Sequence, residues 1–176
     1  VSDSASRNIV LVGFMGSGKT SVGQEIAKRL GWDFVDTDAF IEVTTGRTIA
    51  DIFAQDGEAA FRILESDAVR AVASRCRVVI ATGGGVVLRP ENVATLRANG
   101  VLVLLDASAE ALYERIRHET HRPLLQVADP IARIRELLDA RRPFYAQADV
   151  VLDTTDLSVS DIADEVLRRV RPDESR

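Results

Sequence analysis

GFMGSGKT, residues 13–20, decides how the rest of the chain is read. It follows the apolar run IVLV (9–12) and precedes SVGQEIAKRLG (21–31). Its form is Gly-x-x-x-x-Gly-Lys-Thr. Gly13 and Gly18 let the backbone turn tightly, so that its N–H groups point inward at phosphate oxygens. A helix opening at Gly18 adds its N-terminal dipole. Lys19 then reaches the β and γ phosphates, and the Thr20 hydroxyl is a Mg²⁺ ligand. The candidate nucleotide contacts are Gly16, Ser17, Gly18, Lys19, Thr20 and Ser21. Of the 22 basic residues only Lys19 and Lys28 are lysine, which makes a lysine at this position harder to dismiss.

Working outward, short β-branched runs alternate with helical patterns. The runs are 9–13, DFVD (33–36), RVVIAT (77–82), VLVLLD (101–106) and DVVLDT (149–154). Between the first two, Val22, Ile26, Ala27 and Leu30 have helical spacing, and Gly31 stops the helix. TDAFIEVTTG reads as a short helix ending at Gly46. Thr48 caps TIADIFAQDG, and GEAAFRILESDAVRAVAS is a long amphipathic helix. PENVATLRANG has Pro90 near its start and Gly100 past its end. SAEALYERI opens on the cap Ser108, and IARIRELLDARR and SVSDIADEVLRRV are also helical. RHETHRPLLQVADP has no helical period and reads as a loop. Five apolar strands alternating with helices imply one α/β domain with a mostly parallel sheet. Ligands of such sheets bind beyond the carboxyl ends of the strands. GFMGSGKT, Asp36 to Asp38, Gly83 to Gly85 and Asp106 all fall there and are expected on one side of the sheet.

Composition narrows the class. The chain has 176 residues, 46% hydrophobic and 28% charged, with a net charge of −5. That suits one globular domain. An acidic chain is a poor match for a nucleic-acid backbone, and no basic cluster suggests a membrane surface. No apolar run reaches a membrane span of ~18 residues, and the polar start VSDSASRN implies a cytoplasmic protein. Cys76, the single cysteine, is expected to be a small buried or half-buried side chain. His118 and His121 are expected at the surface. A guanine-nucleotide switch is disfavoured, because no Asp has Gly three residues on and no Asn-Lys-x-Asp stretch exists. A small kinase needs only the phosphate loop, an acceptor pocket and a lid.

The pocket has its own pattern. FVDTD puts Asp36 and Asp38 just past the second strand. One carboxylate can hold water around Mg²⁺, and the other can bind an acceptor hydroxyl and take its proton. Capping of the next helix is the plainer role for this pair. Three consecutive glycines, Gly83, Gly84 and Gly85, suit a ligand lying close to the backbone. Arg62, Arg122 and Arg141 together suggest an acceptor with a carboxylate, which guanidinium binds in bidentate fashion. The residues alone therefore point to a small polyhydroxy acid.

GFMGSGKTSVG, DTDAFIE, GRTIADIF, GEAAFR, TGGGVV, RPLL and RRPFY also occur in the order and spacing of one family. From about Ile9 to Val170 the chain resembles the shikimate kinases. The resemblance implies a three-layer α/β/α nucleoside-monophosphate-kinase-like fold with sheet order 2-3-1-4-5 and a mobile lid. It implies a single kinase domain over 1–176: a phosphate-loop core starting at 9–36, an acceptor-binding segment at 37–65, a lid at 118–129 and a frayed tail at 171–176. The implied reaction is phosphorylation of the shikimate 3-hydroxyl by ATP and Mg²⁺, on the route to chorismate, by a cytoplasmic monomer. By the same resemblance Lys19, Asp38 and Arg122 are catalytic, and Thr20 and Asp36 (through water) serve the metal. Arg115 stacks on adenine, and Arg122 in the lid also meets ATP. Asp38, Arg62, Arg141 and Gly83 to Gly85 bind shikimate. Asp106 also fits a loose metal-binding pattern after its strand, but the family pattern favours Asp36. Two other readings remain: a kinase for another polyhydroxy acid such as gluconate, and an ATP-binding regulator without catalysis.

Overall fold

The structure is a computed structural model that describes residues 7–119 and 126–170. Five strands form one parallel sheet: β1 (Asn8–Val12), β2 (Asp33–Asp36), β3 (Val78–Ala81), β4 (Gly100–Asp106) and β5 (Val150–Asp153), in the order 2-3-1-4-5. The helices are α1 (Lys19–Leu30), α2 (Thr37–Thr45), α3 (Ile49–Ala73), α4 (Pro90–Ala98), α5 (Ala109–Ile116), α6 (Pro130–Tyr145) and α7 (Val159–Val170). Among the described residues no helix is long and apolar enough to cross a membrane.

β1 is buried along its whole length between β3 and β4, in register Leu11↔Ala81 and Val12↔Leu104. Burial on both faces explains why IVLV is continuously apolar rather than alternating. Val10, Val12, Ile80 and Leu104 face α3 and α4 through Val69, Val72, Val93 and Leu96. Ile9, Leu11, Val79 and Leu105 face α1 and α7 through Val22, Ile26, Ile162 and Val166. A third cluster fixes the phosphate loop, because Phe14 packs with Leu112, Ile116 and Ile134 of α5 and α6. A fourth joins α2 to α3 through Ile41, Ile52 and Phe61.

The expected caps are present. Thr48 accepts from Asp51 N at 3.1 Å, and Ser108 accepts from Ala111 N at 3.1 Å. Gly57 (φ 82°, ψ 175°) breaks α3 into the two helices that the pattern separated. Two expectations, at α6 and at Cys76, need correction. Gly100 lies past the end of α4 as expected, after the cap Asn99, and is also the first residue of β4. A Cβ at Gly100 would lie 2.7 Å from Leu96 O, so the glycine answers a close approach between helix and strand. α6 runs on through Pro143 to Tyr145. Cys76 is exposed, because it sits in the turn before β3 rather than in the strand.

Candidate active site

Parallel strands deliver their carboxyl ends to one rim, and the motif residues gather there. A cleft of about 260 Å³ is lined by Gly16, Lys19, Thr20, Asp36, Asp38 and Gly83, among others. Ser21, Gly18 and Gly84 also line it. Gly18 adopts φ 91° as it turns the loop into α1, a conformation that L side chains resist. Ser17 is buried behind it. Lys19 folds back across the loop, and its Nζ donates to Gly13 O at 2.8 Å and Phe14 O at 3.0 Å. Its charge is thereby held at the loop even though the side chain is almost completely buried.

Beside the loop, the Thr20 hydroxyl donates to Asp36 Oδ2 at 2.9 Å. Asp36 Oδ1 meanwhile accepts from Asp38 N at 3.0 Å and Ala39 N at 3.3 Å. The carboxylate therefore caps α2 and reaches the loop at once, so capping and metal work are not exclusive. A hydroxyl and a carboxylate side by side are hard oxygen donors of the kind Mg²⁺ takes, with water and phosphate filling its other positions. Among the described residues no group of three or more His, Cys, Asp or Glu could hold a metal ion.

Asp38 occupies the first turn of α2. Its Oδ1 is buried without a hydrogen-bond partner. Burial, reinforced by Asp36 and Glu65 and opposed by Lys19, raises its carboxyl to a pKa of about 6. Gly83 makes room for it, because a Cβ there would lie 2.8 Å from Asp38 Oδ1. Gly85 does the same for Arg62, whose Nη1 would be 2.5 Å from such a Cβ. None of the three glycines has a positive φ, so close approach rather than backbone freedom explains the run. Arg62 Nη1 bonds Glu65 Oε2 at 2.8 Å, and Arg62 lies over the Phe61 ring at 5.3 Å. Arg141, from α6, donates to Gly84 O at 3.1 Å and lies over Phe14 at 5.1 Å. The two guanidinium groups thus flank adjacent residues of one glycine run.

On the far side of the loop, Arg115 bridges two segments. Its Nη2 donates to Thr154 O at 2.6 Å, and its Nη1 reaches Thr154 Oγ1 at 3.3 Å and Gly16 O at 3.5 Å.

The model of the family described as "Shikimate kinase" matches residues 15–171. A shikimate kinase of Symbiobacterium thermophilum is 52% identical over 167 residues, covering 93% of this chain and 96% of that one. The chain belongs to the shikimate kinase family. A shikimate kinase structure from Acinetobacter baumannii, solved in complex with shikimate, superposes with a TM-score of 0.91 at 37% identity, covering 98% of this chain and 97% of that one. A gluconokinase structure from Sinorhizobium meliloti superposes with a TM-score of 0.57 at 22% identity (93% and 91% covered), which is a likeness of fold alone.

For a shikimate kinase, the gathered set is nearly the one expected. Lys19, Thr20, Asp36, Asp38, Arg62, Arg141 and the glycine run meet around one rim, and Arg115 borders the loop. Asp106 departs from the set. Its Oδ1 accepts from Ala107 N at 3.0 Å, and it lines a separate cleft of about 460 Å³ beside Arg135, Arg142 and Tyr145. That second cleft is larger, but it contains none of the phosphate-loop residues, so size does not identify the site. Arg122 and His121 lie outside the described residues, and His118 is exposed.

Sequence reading missed Glu65 and Thr154. Glu65 is fully buried, holds Arg62 and keeps Oε1 without a partner. Its only signal was a Glu three residues after Arg62 on a helix. Thr154 is fully buried, donates to Asp106 O at 2.8 Å and anchors Arg115. A threonine just after a strand gave no hint of that.

Proposed function

We propose that this rim divides the family's reaction among its residues as follows. The protein transfers the γ-phosphoryl group of ATP to shikimate, at the 3-hydroxyl. The loop from Gly16 to Ser21 holds the nucleotide phosphates, with Lys19 beside the β and γ groups. Thr20 and, through water, Asp36 hold Mg²⁺. When bound, the ion neutralises charge on the phosphate oxygens. Arg115 borders adenine. Arg62 and Arg141 hold the shikimate carboxylate, and Gly83 to Gly85 lie against the ring. Asp38 accepts a hydrogen bond from the 3-hydroxyl and takes its proton as the oxygen–phosphorus bond forms. The bond from phosphorus to the ADP oxygen breaks on the opposite side. Arg122, within a lid over 118–129, neutralises the transferring group.

Residues 37–65 form the acceptor-binding part of a single kinase domain. The protein is a cytoplasmic monomer in this reading. Phosphoryl transfer asks little covalent chemistry of the protein, so Lys19 and Arg122 should affect rate more than Asp38 does. The observation that carries the reading is the unpartnered, buried Asp38 Oδ1 in the same cleft as Lys19 and Thr20. An unsatisfied acceptor there is what a substrate hydroxyl would complete.

The test is ADP release with ATP and Mg²⁺, run with shikimate, gluconate, nucleoside monophosphates and no acceptor. Release only with shikimate is expected. Release with gluconate in its place would reassign the pocket. ATP binding without release would leave a regulator. Lys19→Ala should abolish turnover and keep the fold, as read by circular dichroism.

A further inference from the structure

The last turn of α6 carries a group that these roles leave unused. Tyr145 ends the helix four residues after Arg141, so the two side chains leave it on the same side. Tyr145 is 6% exposed and packs under the sheet with Val12 and Leu104. Its hydroxyl is buried and no partner meets it in full hydrogen-bond geometry, although Arg141 lies close enough to act on it as a side-chain donor. Phenylalanine would fill the same space without stranding a hydroxyl, so packing alone does not account for tyrosine. Two charged groups face the phenol: Arg141 from its own helix and Asp106 from the end of β4. Burial raises its pKa, Arg141 opposes the rise, and the phenol stays neutral with an oxygen able to accept. Arg141 has five N–H donors, and its Nη1 is engaged by Gly84 O.

We propose that Tyr145 is a positioning residue for Arg141: its hydroxyl oxygen accepts one guanidinium N–H when a carboxylate docks. That bond fixes the plane of the fork, so a remaining edge meets both carboxylate oxygens. Tyr145 thereby sharpens the preference for a carboxylate over a neutral group of the same shape. The proposal rests on the reading of Arg141 as a carboxylate contact.

The test is steady-state kinetics of the full chain with shikimate and with its primary amide, at saturating ATP and Mg²⁺. Tyr145→Phe, Arg141→Gln and the double variant are compared. Tyr145→Phe should raise the shikimate KM about five- to tenfold, with kcat and the ATP KM within twofold. The amide KM should change less than twofold, and so should the shikimate KM when Tyr145→Phe is added to Arg141→Gln. A loss of folded enzyme would not disturb the ratio of kcat/KM for the two acceptors, so that ratio remains a valid readout. A shikimate KM unchanged by Tyr145→Phe, or raised equally for both acceptors or in both backgrounds, overturns the proposal. If Tyr145→Phe fails while Arg141→Gln raises KM strongly, only Tyr145 is misassigned. If Arg141→Gln itself leaves KM unchanged, the carboxylate reading of Arg141 falls and takes Tyr145 with it.

Discussion

Asp38, the proposed acceptor of the shikimate proton, carries a cost in stability. Its carboxyl has a pKa of about 6 against an ordinary 3.8. A raised acid binds its proton more tightly in the folded state, so its contribution is full below about pH 4 and is lost as pH rises through about 6. The difference corresponds to about 3 kcal/mol. Without metal or nucleotide, Asp38→Asn should therefore raise the melting temperature at pH 7.5, by roughly 6–12 °C for a domain of this size. The gain should vanish at pH 4, and activity should fall at both. An unchanged melting temperature at pH 7.5 would mean that Asp38 is not strained by its surroundings. Glu65 works in the opposite direction. Removing a buried partner strands a charge, so Glu65→Ala should cost about 3–5 kcal/mol in urea unfolding. Arg62→Ala should weaken shikimate binding by roughly 1.5–3 kcal/mol, the scale of a charged hydrogen bond, read as a higher KM with the ATP KM unchanged.

At the scale of elements, the bend in α3 can be tested apart from the cap that starts the helix. Gly57 sits at φ 82°, and a Cβ added there would have no atom within 4 Å, so a side chain meets no clash and only backbone strain. Gly57→Ala should cost about 1–2 kcal/mol by that strain alone. Thr48→Ala removes the bond to Asp51 N and should cost about 1 kcal/mol. The two sites share no bonding partner, so the losses should add in the double variant. A clearly larger combined loss would show that α2 and the start of α3 unfold as one unit.

For the molecule as a whole, the rim is assembled from segments far apart in sequence. Lys19 follows β1, Asp36 ends β2, Gly83 follows β3, and Arg141 belongs to α6. Ligands that bind only this assembled rim must stabilise the fold by mass action. ATP with Mg²⁺ at about 100 times its Kd should add about 2.7 kcal/mol, or roughly 5–11 °C in melting temperature. Lys19→Ala should remove most of that shift while leaving the unliganded melting temperature nearly unchanged. A full shift in the variant would place the nucleotide elsewhere.

The fold was legible because its signals are local. IVLV before GFMGSGKT, the glycine at 31, the caps Thr48 and Ser108, and five apolar runs at helical intervals each reflect backbone chemistry within a few residues. The same is true of Lys19 and Thr20, whose spacing is set by one loop. Asp36 and Asp38 were legible as a pair, and the resemblance assigned them different roles, but their different surroundings were not legible. Thr20 donates to one carboxylate, whereas the other is buried beside Gly83 and Glu65. Local sequence also misled where tertiary contact takes over, as at Cys76, which the turn leaves outside. The sequence by itself determined the layers, the phosphate loop and the kinds of side chain at the rim. Only the tertiary structure decided that Asp106 faces another cleft, that Glu65 holds Arg62, and that Tyr145 buries its hydroxyl beside Arg141. Desolvation and partner choice depend on what the folded chain brings within a few ångströms, and no spacing along the sequence encodes that.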